Sequence, residues 1–160
     1  MAHEPRLMRA LRALLHDHRV ASLGTLGPLG EPQVSMVPYA IAAVPGCLVI
    51  HVSGLATHTR NLQVSPSVSL MVLQPEVAGE PVHALPRVSL HARAEVLAPH
   101  SVPWARCRDA YLERFPEAEP MTQLGDFRFV ALHVSGARHV AGFGAARAVD
   151  AQELALVLGP

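Results

Sequence analysis

The side chains best suited to chemistry crowd into one short stretch, where Ser53, Thr57, His58, Thr59, Arg60 and Asn61 bring hydroxyls, an imidazole, a guanidinium and an amide together. The pattern predicts a helix from Thr57 to Val64, stopped by Pro66 because proline cannot continue a helix. With Thr57 as its N-cap, the N–H groups of His58 and Thr59 point outward without intrahelical partners. Such a helix start favours an anion, and this side-chain set suits a phosphate. A capped surface helix is the plainer use of the same residues.

Other chemistries find less support. Ten histidines invite a metal, but His16, His18, His51, His58, His133 and His139 show no HExxH or H-x-x-x-H spacing and no clustered acidic partners. No dedicated metal site is expected. A G-x-S-x-G nucleophile elbow is absent. Cys47 and Cys107 lie far apart and fit no metal spacing, which predicts reduced, packed thiols and a cytoplasmic location. Gly142-Phe143-Gly144 follows the last predicted strand with no βαβ unit behind it, so it is no dinucleotide fingerprint. A formal net charge of zero lacks the basic footprint of a nucleic-acid binder, and no apolar run reaches membrane-spanning length. The expected partner is therefore a small molecule.

The elements that must position these residues are legible from periodicity. The 160 residues, half of them apolar, predict one domain with a real core. A first helix, Pro5 to His16, puts Leu7, Ala10, Leu11, Leu14 and Leu15 on one face. Strands follow at Arg19–Thr25, Pro32–Ile41, Cys47–Ser53 and Ser67–Leu73, the first two joined by a Gly27-Pro28-Leu29-Gly30 turn. Arg87–Leu97 shows the cleanest alternation, with Val88, Leu90, Ala92, Ala94 and Val96 against Arg87, Ser89, His91, Arg93 and Glu95. A second long helix, Val102–Phe115, carries Trp104, Cys107, Tyr111, Leu112 and Phe115 as core. The last strand is Phe127–Val134. Six short strands with helices between them predict a mainly β (α+β) fold, a six-stranded closed or partly closed barrel with flanking helices. Residues 1–150 form the domain and 151–160 a C-terminal tail.

A flavin mononucleotide needs donors for its phosphate, backbone groups at its ring edge and an apolar wall. Ser35 to Tyr39 offer backbone and side chains, and Pro38 marks an edge or opening. His51, Val52 and Ser53 end the strand that leads into the phosphate-friendly loop. Arg87 opens its strand with a fixed cation.

Three segments carry a resemblance: S-x-L-A-x-H-T-x-N-L at Ser53 to Leu62, P-R-V-S-L at Pro86 to Leu90, and DF…AGFGAA from Asp126 to Ala146. Together they resemble the pyridoxamine 5′-phosphate oxidase-like FMN-binding split barrels, in particular their HugZ-like, haem-utilisation branch. The resemblance covers about residues 7 to 147. It implies FMN contacts from Ser35, Met36, Val37 and Pro38, and places His51, Val52 and Ser53 near the ring or ribityl chain. It puts Thr57 and His58 at the phosphate, with Asn61 one turn on, and brings Arg87 to the flavin. It further implies a homodimer with sites between the two chains, acting as an FMN-dependent oxidoreductase on an unidentified small molecule.

The departures narrow this. Ala40 stands where true pyridoxamine phosphate oxidases carry a substrate-binding lysine, and their C-terminal Arg/His segment is missing. A lost charge-assisted hydrogen bond costs roughly 1.5–3 kcal/mol, which argues against that oxidation. The alternative implied by the resemblance is haem binding or degradation, or a cofactor-holding barrel without turnover. Haem-degrading members use an axial histidine from a C-terminal tail, and this chain has none after His139; His139 and His133 are the candidates left. The accessory domain with an HMNxDH-type motif is also absent from the sequence.

Overall fold

Alternating burial along β1 (Val20–Leu26) and β2 (Pro32–Pro38) starts the sheet as an antiparallel hairpin, with Leu23 opposite Ser35. Its turn closes through the Gly27 N–H bonding the Glu31 carbonyl at 2.8 Å, and Gly30 takes φ +82°, a region open to glycine. The computed structural model describes residues 4–160, with helix α1 (Arg6–Asp17) ahead of this hairpin. Then come β3 (Ala40–Ala42), β4 (Cys47–Ser53), helix α2 (Thr57–Val64) and β5 (Ser67–Leu73). The chain goes on through β6 (Arg87–Val96), α3 (Val102–Arg114), a 3-10 segment (Pro116–Gln123), β7 (Phe127–Val140), β8 (Ala146–Asp150) and α4 (Ala151–Leu158).

The strands run in the order β2-β1-β5-β6-β7-β4-β3, with β8 also paired to β7. The two ends of that path, β2 and β3, are consecutive in the chain, so the sheet curls back on itself at Tyr39. Pro38 pairs with Val20 of β1, whereas Ala40 already pairs with Val49 of β4. Tyr39 is fully buried at this crossing, and its hydroxyl donates to the Leu15 carbonyl at 2.6 Å, tying the split to α1. This is a split barrel, as expected, but with eight strands rather than six.

The two extra strands have physical causes. The expected strand Pro32–Ile41 divides at Tyr39, because its two halves bond to different neighbours. The last strand runs past Gly136, which faces the irregularity between His91 and Ala92 of β6, and continues to Val140. A glycine inside a strand marks such a bulge as readily as a strand end. Its far half then pairs with β8, Val149 opposite Ala137. Residues 151–158, expected within a tail, form α4, capped by Asp150, whose carboxylate accepts from the Glu153 N–H at 2.8 Å.

Two cores result. Leu23, Ile50, Leu70, Leu90 and Leu132 fill the barrel, which α1 and α4 help to seal with Leu11, Leu15, Leu154 and Val157. A second core lies outside it, where Cys47, Val49, Phe129 and Ala131 meet Cys107 and Tyr111 of α3 and Phe115 just after it. Strand β4 is therefore buried on both faces, unlike β2.

Candidate functional site

Helix α2 spans the expected residues, but its cap is Ala56, not Thr57, and no side chain closes it. The N–H groups of Thr59 and Arg60 instead bond the Ala56 carbonyl at 3.1 and 3.2 Å. The hydroxyl of Thr59 turns back to the Ser53 carbonyl at 2.6 Å. The Ser53 hydroxyl donates to the Asp126 carboxylate at 3.3 Å and accepts from the Leu55 N–H at 3.2 Å.

On the barrel side of α2, Nδ1 of His58 lies 3.2 Å from the Ser35 hydroxyl, and burial lowers the His58 pKa. The buried amide of Asn61 donates to Thr25 Oγ1 at 3.1 Å and Gln33 Oε1 at 2.9 Å. These bonds pin α2 across the end of β1 and β2. Thr25 and Gln33 escaped the sequence reading, and Asp126 entered it only as the start of a resembling segment; an asparagine in the middle of an eight-residue helix was the signal for the first two. Beside them a hollow of about 310 Å³ is lined by Pro28, Thr57, Arg60, Asn61 and Val64.

The other expected site residues disperse. Val37 and Val52 point into the barrel core. Met36 points outward and is 67% exposed; Pro38 shares its side of β2. Arg87 sits at the edge of that outer face, opposite Leu73 of β5 and Val140 of β7. Its Nη1 donates to the Leu85 carbonyl at 2.9 Å and reaches that of His83 at 3.4 Å, which fixes the guanidinium there.

His51 lies on the far side of β4, in the second core, not beside α2. It packs on Phe129, Phe127 and Tyr111 with ring centroids 4.3, 5.1 and 5.8 Å away. Desolvation lowers its pKa to about 4, so the ring is neutral at pH 7. It lines a cavity of about 520 Å³ under α3 that sequence reasoning missed, because Trp104 read only as core. Nothing among the described residues groups three or more potential metal ligands.

The two haem candidates also separate. His139 is 1% exposed, faces inward, and lines a cavity of only about 180 Å³; burial and the nearby Arg147 lower its pKa. His133 lies at the surface, 2.7 Å from the Glu95 carboxylate.

The eight-stranded curl with its crossing at Tyr39 has clear relatives, and residues 7–141 match the family model for pyridoxamine 5′-phosphate oxidase. The chain belongs to that family. Within the pyridoxamine 5′-phosphate oxidase family its relatives are the HugZ-like, haem-handling proteins. It is 30% identical over 150 residues to the haem oxygenase HutZ of Vibrio cholerae, covering 93% of this chain and 84% of HutZ. A chloroplast haem oxygenase of Arabidopsis thaliana, HOZ, is 31% identical over 153 residues, 91% of this chain but 45% of that protein. A haem-binding protein from Mycobacterium smegmatis superposes with a TM-score of 0.84 at 29% identity, over 97% of this chain and 62% of that one. No helix among the described residues is long and apolar enough to cross a membrane.

Proposed function

We propose that this chain binds haem on the outer face of β2, β1, β5 and β6, completed by a second copy as a homodimer, and acts in oxidative haem breakdown. The observation that carries the reading is the chemistry of that face. Val20, Leu26, Val34, Met36, Met71 and Leu73 are all exposed there. Ser22 stands between Met36 and Met71 in the register, and Gly24 between Val34 and Ser69, so the surface is apolar and low. An apolar patch of this kind on a soluble domain marks a contact surface.

The residues fit haem, whose ring is flat and apolar and whose edge carries carboxylates. Met36, Val34, Met71 and Leu73 would hold the ring, and the anchored guanidinium of Arg87 would hold a carboxylate. His91, outward on β6 opposite Ser69, is the imidazole this face offers to iron. Bound haem would supply an iron centre for oxygen chemistry on the ring itself. The chain's own task is to bind it, orient it by its charged edge, and exclude water by pairing two faces.

FMN has less support. Of the groups expected around its phosphate, Ser53, His58 and Asn61 are already bonded within the protein, and Thr57 lines the neighbouring hollow. Arg60 is the cation that lines the neighbouring hollow.

Titration of purified protein with ferric haem should give a saturable Soret band, and the solution mass should be that of two chains. Met36→Asp places a carboxylate in the middle of the face. It should halve the mass and weaken haem binding about 100-fold, while the far-ultraviolet spectrum stays unchanged. A monomeric wild type, or unchanged haem affinity in Met36→Asp, would overturn the proposal. Loss of the Soret band under oxygen with ascorbate distinguishes breakdown from storage.

A further inference from the structure

The cavity beneath α3 is unused by this reading. It lies across β4 and β7, whereas the haem face lies across β2, β1, β5 and β6 at the other end of the strand order. Its floor is aromatic. Phe129 packs on His51 and takes the edge of Trp104 at 5.8 Å, and His100 leans on Trp104 at 5.0 Å. His100 adopts φ +66°, an unusual conformation for a residue with a Cβ, at the turn that places its ring against the cavity.

Arg128 lines this space with its Nη1 turned to the Gly125 and Phe127 carbonyls, and two of the other donors there, of different kinds, bear on a ligand. His51 is 7% exposed, and its Nδ1 is buried without a hydrogen-bond partner. Leaving a lone pair unmatched costs less than leaving an N–H unmatched, so the hydrogen resides on Nε2, the edge left for the cavity. The second donor is Arg108, whose carboxylate neighbours Asp109 and Glu119 stand at 3.8 and 4.0 Å, beyond good hydrogen-bond length. Its guanidinium therefore keeps donors to give. At about 520 Å³ the cavity falls within the range that holds small organic ligands.

We infer that this cavity is a second ligand site, separate from the haem face, for a flat aromatic carboxylate. The ring would lie against Trp104, Phe127 and Phe129, and its carboxylate would accept from His51 and meet Arg108. Stacking of a flat ring on aromatic faces and a charge-assisted bond to a guanidinium together provide both affinity and orientation.

The chain has one tryptophan, so a nitrogen-15 spectrum carries a single indole N–H signal, from a residue of this cavity. Titration of the full chain with 2-naphthoate should shift that signal saturably. His51→Phe preserves the aromatic packing and should weaken binding at least tenfold. Ala105→Phe, which fills the cavity from an exposed position on α3, should do the same without touching the core. Arg108→Gln should weaken 2-naphthoate severalfold but leave the neutral 2-naphthamide within twofold. Saturating haem should leave the 2-naphthoate affinity within twofold. No shift up to millimolar 2-naphthoate, wild-type affinity in both His51→Phe and Ala105→Phe, or displacement by haem would each overturn the inference. A protein that binds 2-naphthoate but no haem would leave this site standing and remove only the haem reading.

Discussion

One curled sheet presents two very different surfaces. At β4 and β7 the strands are covered twice, by the barrel core on one side and by α3 with its 3-10 extension on the other. At β1 and β5 the inner side is equally dry and at β2 it holds Val37 beside the half-buried Gln33 and Ser35, yet the outer side of all three shows methionine, leucine and valine to solvent. A strand buried on both faces has its second cover within the chain; a strand apolar on both faces but buried on one takes that cover from elsewhere. On the proposed reading the contrast separates a site that the single chain completes, around His51, from one that a second copy completes, around Met36 and Arg87.

The sharpest way to break this contrast is to remove the ring on which the covered side rests. Phe129 is 1% exposed and touches His51, Trp104 and Tyr111. Phe129→Ala should cost about 3–5 kcal/mol of stability, by lost burial plus the cavity left behind. The same truncation on the open side, Met36→Ala, should change the urea unfolding free energy of the dilute protein by less than about 0.5 kcal/mol. Equal losses at the two positions would mean that the outer face is already covered within one chain.

A smaller effect comes from the covered imidazole. The pKa of His51 is about 4 in the fold, against about 6.5 in an unfolded chain. Between those values the unfolded chain takes up a proton that the folded chain refuses. The stability tied to His51 is therefore complete above pH 6.5 and lost as the pH falls towards 4, by up to about 3 kcal/mol. Burial shifts His58 and His139 in the same direction. Urea unfolding followed from pH 7 to 4 should show this slope. His51→Phe should flatten it, while Met36→Asp on the open face should leave it unchanged. An unaltered slope in His51→Phe would show that this ring titrates freely.

These two surfaces also explain what was legible in the sequence. Period-two alternation identified β5 and β6 to within a residue, and Pro66 fixed the end of α2, because those signals are local. The division of Pro32–Ala42 at Tyr39 was not legible, since it depends on which distant strand each half meets. The expected last strand stops at Val134, short of Gly136, because a glycine signals a bulge and a break alike. Asp150 at a helix start, with Glu153 three residues on, was a readable cap for α4 that passed as tail. The candidate residues were found as types but not as a group. Ser53, His58 and Asn61 meet around α2, but the pleat turns His51 to the opposite side of β4 from Val52. No spacing rule tells which side of a doubly buried strand holds a cavity, so the meeting of His51 and Trp104 at one cavity over Phe129 emerged only in three dimensions.

The mildest test concerns the charge at the rim of the open face. Arg87 is held by the carbonyls of its own preceding turn, so its position costs little further order when a carboxylate arrives. A charge-assisted hydrogen bond contributes roughly 1.5–3 kcal/mol, and partial exposure favours the lower end. Arg87→Ala should therefore weaken haem binding about tenfold, with no change in solution mass. Arg87→Lys should recover only part of that loss, because an ammonium matches the charge but not the two-pronged geometry. Added salt should narrow the gap between wild type and Arg87→Ala, since screening acts on the charge alone. Arg108→Gln, on α3, should leave haem affinity where it was. If Arg108→Gln weakens haem and Arg87→Ala does not, the assignment of the two surfaces is reversed.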